Sequence, residues 1–275
     1  MKLRPIFILL AALTLSATVR SAPGTLIPRP QEATRLDGQF VFTTGIPVVY
    51  ASGLEPLAEY IADYIPLQRL DDRTWTAGAA LRLSLDGTMD DESYRLTVTP
   101  QGVQVVGADY GGVFNGLQTL LQLLPPEVYT GQATLPLAVD ACRIEDAPRF
   151  HYRGMMLDVV RTWMDADRVK RHIDLLSHLK INKLHLLLSN DEGWRLEIKS
   201  HPELTEIGAW RGGDSPVMPV YGKWDEKYGG FYTQDEMRDL IRYAAVRNVE
   251  IIPELDLPGH RRHFARLPAE IVWDC

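Results

Sequence analysis

The chain has little cysteine, no excess of positive charge, and no long apolar run beyond its first residues. Only Cys142 and Cys275 occur among 275 residues, far apart and without acid or imidazole neighbours at ligand spacing. Neither a disulfide framework nor a structural zinc site is therefore expected, and stability must come mainly from a hydrophobic core. The net charge is -7, and no stripe of lysine and arginine alternates with aromatic residues, so nucleic acid is not an expected partner. No GxGxxG or Walker pattern completes the Gly111-Gly112 pair, which reads as a tight turn from strand to helix.

What is present is ordinary for a folded domain: 45% hydrophobic and 24% charged residues. At the N-terminus, Lys2 and Arg4 precede an apolar run from Ile6 to Leu15 and then small residues up to Ser21. This is the pattern of a signal peptide over residues 1–21, cut before Ala22, and the run is shorter than the ~20 residues that span a bilayer. An exported, periplasmic or extracellular protein is expected, with no membrane span after the signal is removed.

Residues 22–147 read as a small α+β domain. Strands are expected at 39-QFVFTT, 81-LRLSLDG, 94-YRLTVTP and 103-VQVVGAD, with helices at 54-LEPLAEYIADYI and 111-GGVFNGLQTLLQLLP. In the second helix Leu117, Leu120, Leu121 and Leu124 fall on one face, and Pro125-Pro126 end it.

From residue 148 the pattern changes to alternating strands and helices. Strands are expected at 153-RGMMLDVVR, 183-KLHLLLS and 249-VEIIPELD, with helices at 165-DADRVKRHIDLLSHLKI and from Thr233, where Glu236 completes a capping box. Near-continuous apolar strands suit a parallel sheet covered on both faces. The fold class is α/β: a small α+β domain, then about the first three strand-helix units of a (β/α)8 TIM barrel over 148–275.

Each of these strands ends in polar residues: Asp158 and Arg161, then Asn190, Asp191 and Glu192, then Glu254, Asp256 and His260. In a barrel those ends converge on the face where active sites are built. Singly, Asp158 and Arg161 suit a structural ion pair, Asp191 a turn before Gly193, and His260 a surface loop. Together they favour a barrel hydrolase. Another hydrolase drawing its acids from Asp158 and Glu254 remains an alternative on these residues alone.

The strings 150-FHYRGMMLDVVR, 182-NKLHLLLSNDEGWRLEI and 229-GGFYTQDEMRDLIRYAAVRNVEIIPELDLPGH resemble the β-N-acetylhexosaminidases of glycoside hydrolase family 20, and 27-IPRPQE is similar to the start of that family's N-terminal domain. The resemblance implies removal of terminal N-acetylglucosamine or N-acetylgalactosamine with retention, the sugar's own acetamido group acting as nucleophile. It implies N-acetylhexosamine-containing glycans as partners, and neither metal nor cofactor. Arg161 then matches the arginine that binds the nonreducing sugar, Asp256 and His260 match a supporting Asp-x-Pro-Gly-His pair, and Trp194 helps shape the site or packs beneath it. Asp158, Asn190, Asp191 and Glu254 complete the expected substrate-binding set.

Two departures bear on function. Leu187 stands where the family string has a second histidine, and Asn190 where it has its first acid, so shape is kept there and charge lost. The family's Gly-Gly-Asp-Glu pair is missing: in 211-RGGDSP, Ser215 replaces the acid, and Asp90-Asp91-Glu92, Asp225-Glu226 and Asp235-Glu236 are placed in loops and a helix start. Residues 148–275 supply about half of the ~250 residues of a complete barrel. The expectation is a truncated chain, inactive alone and lacking a C-terminal partner piece, with a non-catalytic amino-sugar-binding or assembly module as the competing reading.

Overall fold

The computed structural model describes residues 25–260 apart from 216, 218–221 and 223. The expected signal, Cys275 and the segment expected to begin the next loop and helix, 261–275, lie outside the described residues.

Residues 32–146 form a mixed seven-stranded sheet covered by two helices. In chain order these are β1 (Glu32–Phe42), β2 (Pro47–Tyr50), α1 (Glu55–Ala62), β3 (Gln68–Asp71), β4 (Leu81–Leu85), β5 (Tyr94–Thr99), β6 (Gly102–Gly107), α2 (Tyr110–Leu123) and β7 (Leu137–Asp146), and the sheet order is β1-β7-β5-β6-β4-β2-β3. Strands β4, β5 and β6 alternate buried and less buried residues. Their inner face meets Leu117, Leu120 and Leu121 of α2 and Leu57 and Ile61 of α1 in one core. Each such side chain taken out of water contributes about 2 kcal/mol.

Strands β2, β3 and β7 go beyond the sequence expectation, and β1 is longer than expected. The first eight residues of β1 are exposed on the sheet edge, so no apolar alternation marks them. In β7 the adjacent Ala141 and Cys142 are both buried, which interrupts the period of two.

The second unit begins with β8 (Gly154–Asp158), followed by α3 (Ala166–His178), β9 (Lys183–Asn190), the short β10 (Gly193–Trp194), α4 (Glu203–Glu206), β11 (Trp210–Arg211), β12 (Tyr228–Gly229), α5 (Gln234–Val246) and β13 (Glu250–Leu255). Strands β8, β9 and β13 are parallel and adjacent in chain order, as in a (β/α)8 barrel, while β10 folds back on the tip of β9. Helix α3 starts at Asp165, whose side chain accepts from the Arg168 amide at 2.8 Å. Helix α5 starts with the expected box, Glu236 N–H donating to Thr233 Oγ1 at 3.1 Å and Thr233 N–H to Glu236 Oε2 at 2.8 Å.

The pairing register sorts the strand residues into two faces. Leu184, Leu186 and Leu188 of β9 pack with Val169, Ile173, Leu240 and Ala244 of the helices. The other face carries Met156, His185 and Ile252 in one row, and Asp158, Leu187 and Glu254 in the next.

One carboxylate gathers the starts of all three parallel strands. Glu92, in the turn before β5, accepts from Arg153 Nη1 and Nη2 at 2.9 and 3.0 Å, from Asn248 Nδ2 at 2.6 Å and from Asn182 Nδ2 at 3.2 Å. Those residues lie just ahead of β8, β13 and β9, so the first domain grips the sheet at its N-terminal end. Burial works against the charge on Glu92, but Arg153, Asn248 and Asn182 outweigh it and hold the carboxyl below its usual range.

Breaking a mostly buried pair of this kind leaves the partner charge uncompensated, so Glu92→Gln is expected to lower the free energy of unfolding by about 3 kcal/mol. Because the folded pKa is the lower one, the stabilisation by Glu92 is fully present above the unfolded value of about 4.3 and is lost as pH falls through the folded value. Urea unfolding of both proteins between pH 7 and 3 measures this. A difference that stays constant across that range contradicts the assignment.

Candidate active site

At the C-terminal ends of the three strands, the chain leaves each strand in a tight turn. After β8 the turn is capped by its own aspartate: Asp158 Oδ1 accepts from the Val160 and Arg161 amides at 3.0 and 2.9 Å. Asp158 Oδ2 then accepts from Arg161 Nη1 at 2.6 Å. The other arm of the guanidinium, Nη2, donates to Asn190 Oδ1 at 3.1 Å. Asn190 in turn donates from Nδ2 to Asp256 Oδ2 at 2.7 Å, and Asp256 is fixed by its own amide, which donates to Ser189 Oγ at 2.8 Å.

The result is one polar chain, Asp158–Arg161–Asn190–Asp256, laid across the tips of β8, β9 and β13. Arg161 and Asp158 are part-exposed, with side-chain exposures of 39% and 23%, so the guanidinium is held yet open to a ligand. The structural ion pair and the site grouping are thus the same contact. A planar fork with several donors suits vicinal hydroxyls or a carbonyl.

Asn190 does what an aspartate there could not do without taking up a proton. Its amide accepts from a cation on one side and donates to an anion on the other, whereas a carboxylate would face Asp256 at hydrogen-bond distance. The lost charge noted in the sequence is matched by a gained donor.

Two expected positions fall differently, and Trp194 takes the packing role. His260 does not pair with Asp256; its Nδ1 lies 3.3 Å from Asp191 Oδ2, and it is well exposed. The physical reason is that Asn190 already engages Asp256, while Leu257-Pro258-Gly259 carries the imidazole over the turn after β9. Glu254 shares a row with Asp158 but pairs with His185 Nε2 instead of joining the chain across the tips. Trp194 is buried and packs with Leu204, its indole N–H donating to the Leu196 carbonyl.

The sequence reading passed over two residues entirely. Arg195 is completely buried and donates from Nε to Val159 O at 3.2 Å, from Nη2 to Val160 O at 2.8 Å, and from Nη1 to the Ala209 and Gly230 carbonyls. Arg211, in the string set aside as a loop, is 4% exposed and donates to Val160 O at 3.1 Å and Arg161 O at 2.7 Å. Arg211 is neutralised by Glu192, itself 1% exposed. Burial first, and then Arg211, pull the Arg195 pKa down to about 10, which leaves it protonated at neutral pH. A single sequence gives little warning, since arginine is rarely so buried. The one signal is the glycines: a Cβ on Gly229 would stand 2.0 Å from the Ala209 carbonyl oxygen, beneath Arg195.

Asp191-Glu192 is an acid pair at the tip of β9 that the search for such pairs did not count. Glu192 is turned inward onto Arg211, so it faces no ligand. Among the described residues no group of three or more His, Cys, Asp or Glu side chains comes together to hold a metal. A cavity of about 740 Å³, lined by Asp91, Tyr110, His151 and Glu250 among others, opens at the domain junction, at the opposite end of the strands. Its carboxylate Glu92 is already committed to Arg153, Asn182 and Asn248.

Comparison with known proteins gives the family of the chain. Residues 150–273 match the family described as glycosyl hydrolase family 20, catalytic domain, and residues 24–147 match glycosyl hydrolase family 20, domain 2. A β-hexosaminidase of Vibrio furnissii is 40% identical over 254 residues, 91% of this chain and 40% of that protein. The structure is similar to the exo-β-N-acetylglucosaminidase of Vibrio harveyi in complex with N-acetylglucosamine, with a TM-score of 0.80 and 36% identity over 89% of this chain and 38% of that one. It is also similar to the β-N-acetylhexosaminidase of Streptomyces coelicolor, with a TM-score of 0.79 and 32% identity over 92% and 51% of the two chains. The chain belongs to glycosyl hydrolase family 20. It spans less than half the length of the Vibrio furnissii relative.

The bridging role of Asn190 can be checked directly. In Asn190→Asp the new carboxylate would meet Asp256, and like charges so close share a proton. Carbon-13 NMR titration of the carboxyl groups should show one acid titrating at least about 1 unit above the usual 3.9. Two carboxyls that both titrate below 4 would show that the Asn190 contact with Asp256 is not held in solution.

Proposed function

We propose that the strand-tip chain Asp158–Arg161–Asn190–Asp256 holds a terminal N-acetylhexosamine, and that it serves exo-β-N-acetylhexosaminidase chemistry on amino-sugar glycans. The carrying observation is the Arg161 guanidinium, pinned on two sides by Asp158 and Asn190 yet open at the C-terminal face of a parallel sheet. A relative seen with N-acetylglucosamine bound supports the choice of sugar. In substrate-assisted cleavage the acetamido oxygen attacks the anomeric carbon, so the protein supplies positioning and a proton donor rather than a carboxylate nucleophile.

Among the described residues no adjacent acid pair is so placed at the strand tips as to serve as the proton donor. Asp91-Glu92 sits in the domain junction, Asp225-Glu226 in a loop, Asp235-Glu236 in the first turn of α5, and Glu192 is buried against Arg211. We read the chain as holding the sugar without cleaving its glycoside, with exposed His260 beside Asp191 at the rim of the strand tips.

Calorimetric titration with N-acetylglucosamine tests the binding half. A roughly millimolar dissociation constant is expected, and Arg161→Ala should weaken it at least about tenfold, the scale of losing one charge-assisted hydrogen bond. Absence of binding at tens of millimolar sugar, about ten times the expected constant, overturns it. A chromogenic N-acetylglucosaminide tests the other half: no turnover is expected, and robust hydrolysis abolished by Arg161→Ala would overturn the assignment of a non-cleaving chain.

A further inference from the structure

We infer that Arg211 is a positioning residue for the sugar site, acting with Arg195 as a buried brace that sets the direction in which Arg161 leaves the tip of β8. This rests on the reading of Arg161 as a sugar-binding residue. It concerns side chains that touch no ligand.

The turn after β8 has an unusual requirement. Val159 and Val160 are fully buried, and past Asp158 the backbone has left the β8 ladder. Carbonyls buried there must find other donors, because an unpaired buried carbonyl costs about 1–3 kcal/mol. The amide side is met locally by Asp158 Oδ1, which takes the Val160 and Arg161 N–H groups. The carbonyl side is met from below by two guanidinium groups. Arg195 takes Val159 O and Val160 O, and Arg211 takes Val160 O and Arg161 O.

The Val160 and Arg161 amides and the Val159, Val160 and Arg161 carbonyls are thereby all engaged. The guanidinium of Arg161 is then held in space by its own backbone, by Asp158 and by Asn190. Arg211 is the better handle on this device, because it contacts the carbonyl of Arg161 itself. Its charge is balanced by Glu192, which follows Asp191 in the turn after β9, so the brace also ties the tips of β8 and β9 together. The ring of Tyr228 lies 4.9 Å from the Arg211 guanidinium, and the Tyr228 hydroxyl accepts from the Trp163 amide at 2.9 Å, continuing the same support past Arg161. A fork that serves two carbonyls and a carboxylate at once cannot be replaced by a single ammonium. Preorganisation of this kind strengthens binding by lowering the ordering cost when the ligand arrives.

The conservative variant Arg211→Lys keeps the charge opposite Glu192 and removes the fork. Its affinity for N-acetylglucosamine is expected to fall by about tenfold, as for other residues that orient a ligand-contacting group. The far-ultraviolet circular dichroism and a cooperative thermal transition should be retained. The discriminating measurement is a double-mutant cycle: on an Arg161→Ala background, Arg211→Lys should cost no further affinity, since the brace works only through Arg161. Additive losses in the cycle, or unchanged affinity in the single variant, would overturn the inference.

A second readout does not depend on sugar binding. The Arg161 Nε–H signal in a nitrogen-15 spectrum should be sharp in the wild-type protein and broadened or shifted in Arg211→Lys, and an unchanged signal overturns the brace. If the wild-type protein binds no sugar while this signal responds to Arg211→Lys, the sugar reading fails and the positioning of Arg161 stands.

Discussion

The fold of this chain depends on a carboxylate at one end of a three-stranded parallel sheet. Glu92 joins Arg153, Asn182 and Asn248, each of them just ahead of a different strand. Strand register has a period of two, so fixing the three starts fixes which side chains face the helices and which face inward. The rows Met156–His185–Ile252 and Asp158–Leu187–Glu254 follow from that, and so does the meeting of Asp158, Asn190 and Asp256 at the far end. The α+β domain is therefore more than a neighbour of the sheet: it sets the alignment on which the site is built.

Polar groups at the two ends of the strands do different work. At the N-terminal end, buried charge is consumed in holding domains together, with Lys180 donating to Tyr94 and Asp146 beside the Glu92 cluster. At the C-terminal end, charge is buried under the site and left part-exposed within it. Arg195 and Arg211 take up the carbonyls of the turn, and Arg161 is presented above them. This division, with stability at one face and chemistry at the other, is the usual organisation of a barrel.

Much of this was legible in the sequence, for identifiable reasons. The leucines of α2 keep a helical period, and the polar residues that end β8, β9 and β13 stand out against apolar runs, so the strand-helix order and the polar strand ends could be read directly. What escaped were contacts between residues distant in the chain. Glu92 and Asn248 are 156 positions apart, and nothing near either one marks the other. Arg195 and Arg211 went unmarked because burial of a guanidinium is decided by the carbonyls it meets, which a local pattern does not contain. The Asp256–His260 pair that the family resemblance implied is not formed: the amide of Asn190 reaches Asp256 and leaves His260 to Asp191.

The central claim is that the strand tips form one sugar-binding surface centred on Arg161. Nitrogen-15 chemical-shift mapping of the whole chain during addition of N-acetylglucosamine tests it most directly. The account predicts saturable shifts concentrated at Asp158 to Arg161, Asn190 and Asp256, with the domain junction around Glu92 unmoved. Saturable shifts confined to that junction, or none at any strand tip, would contradict it.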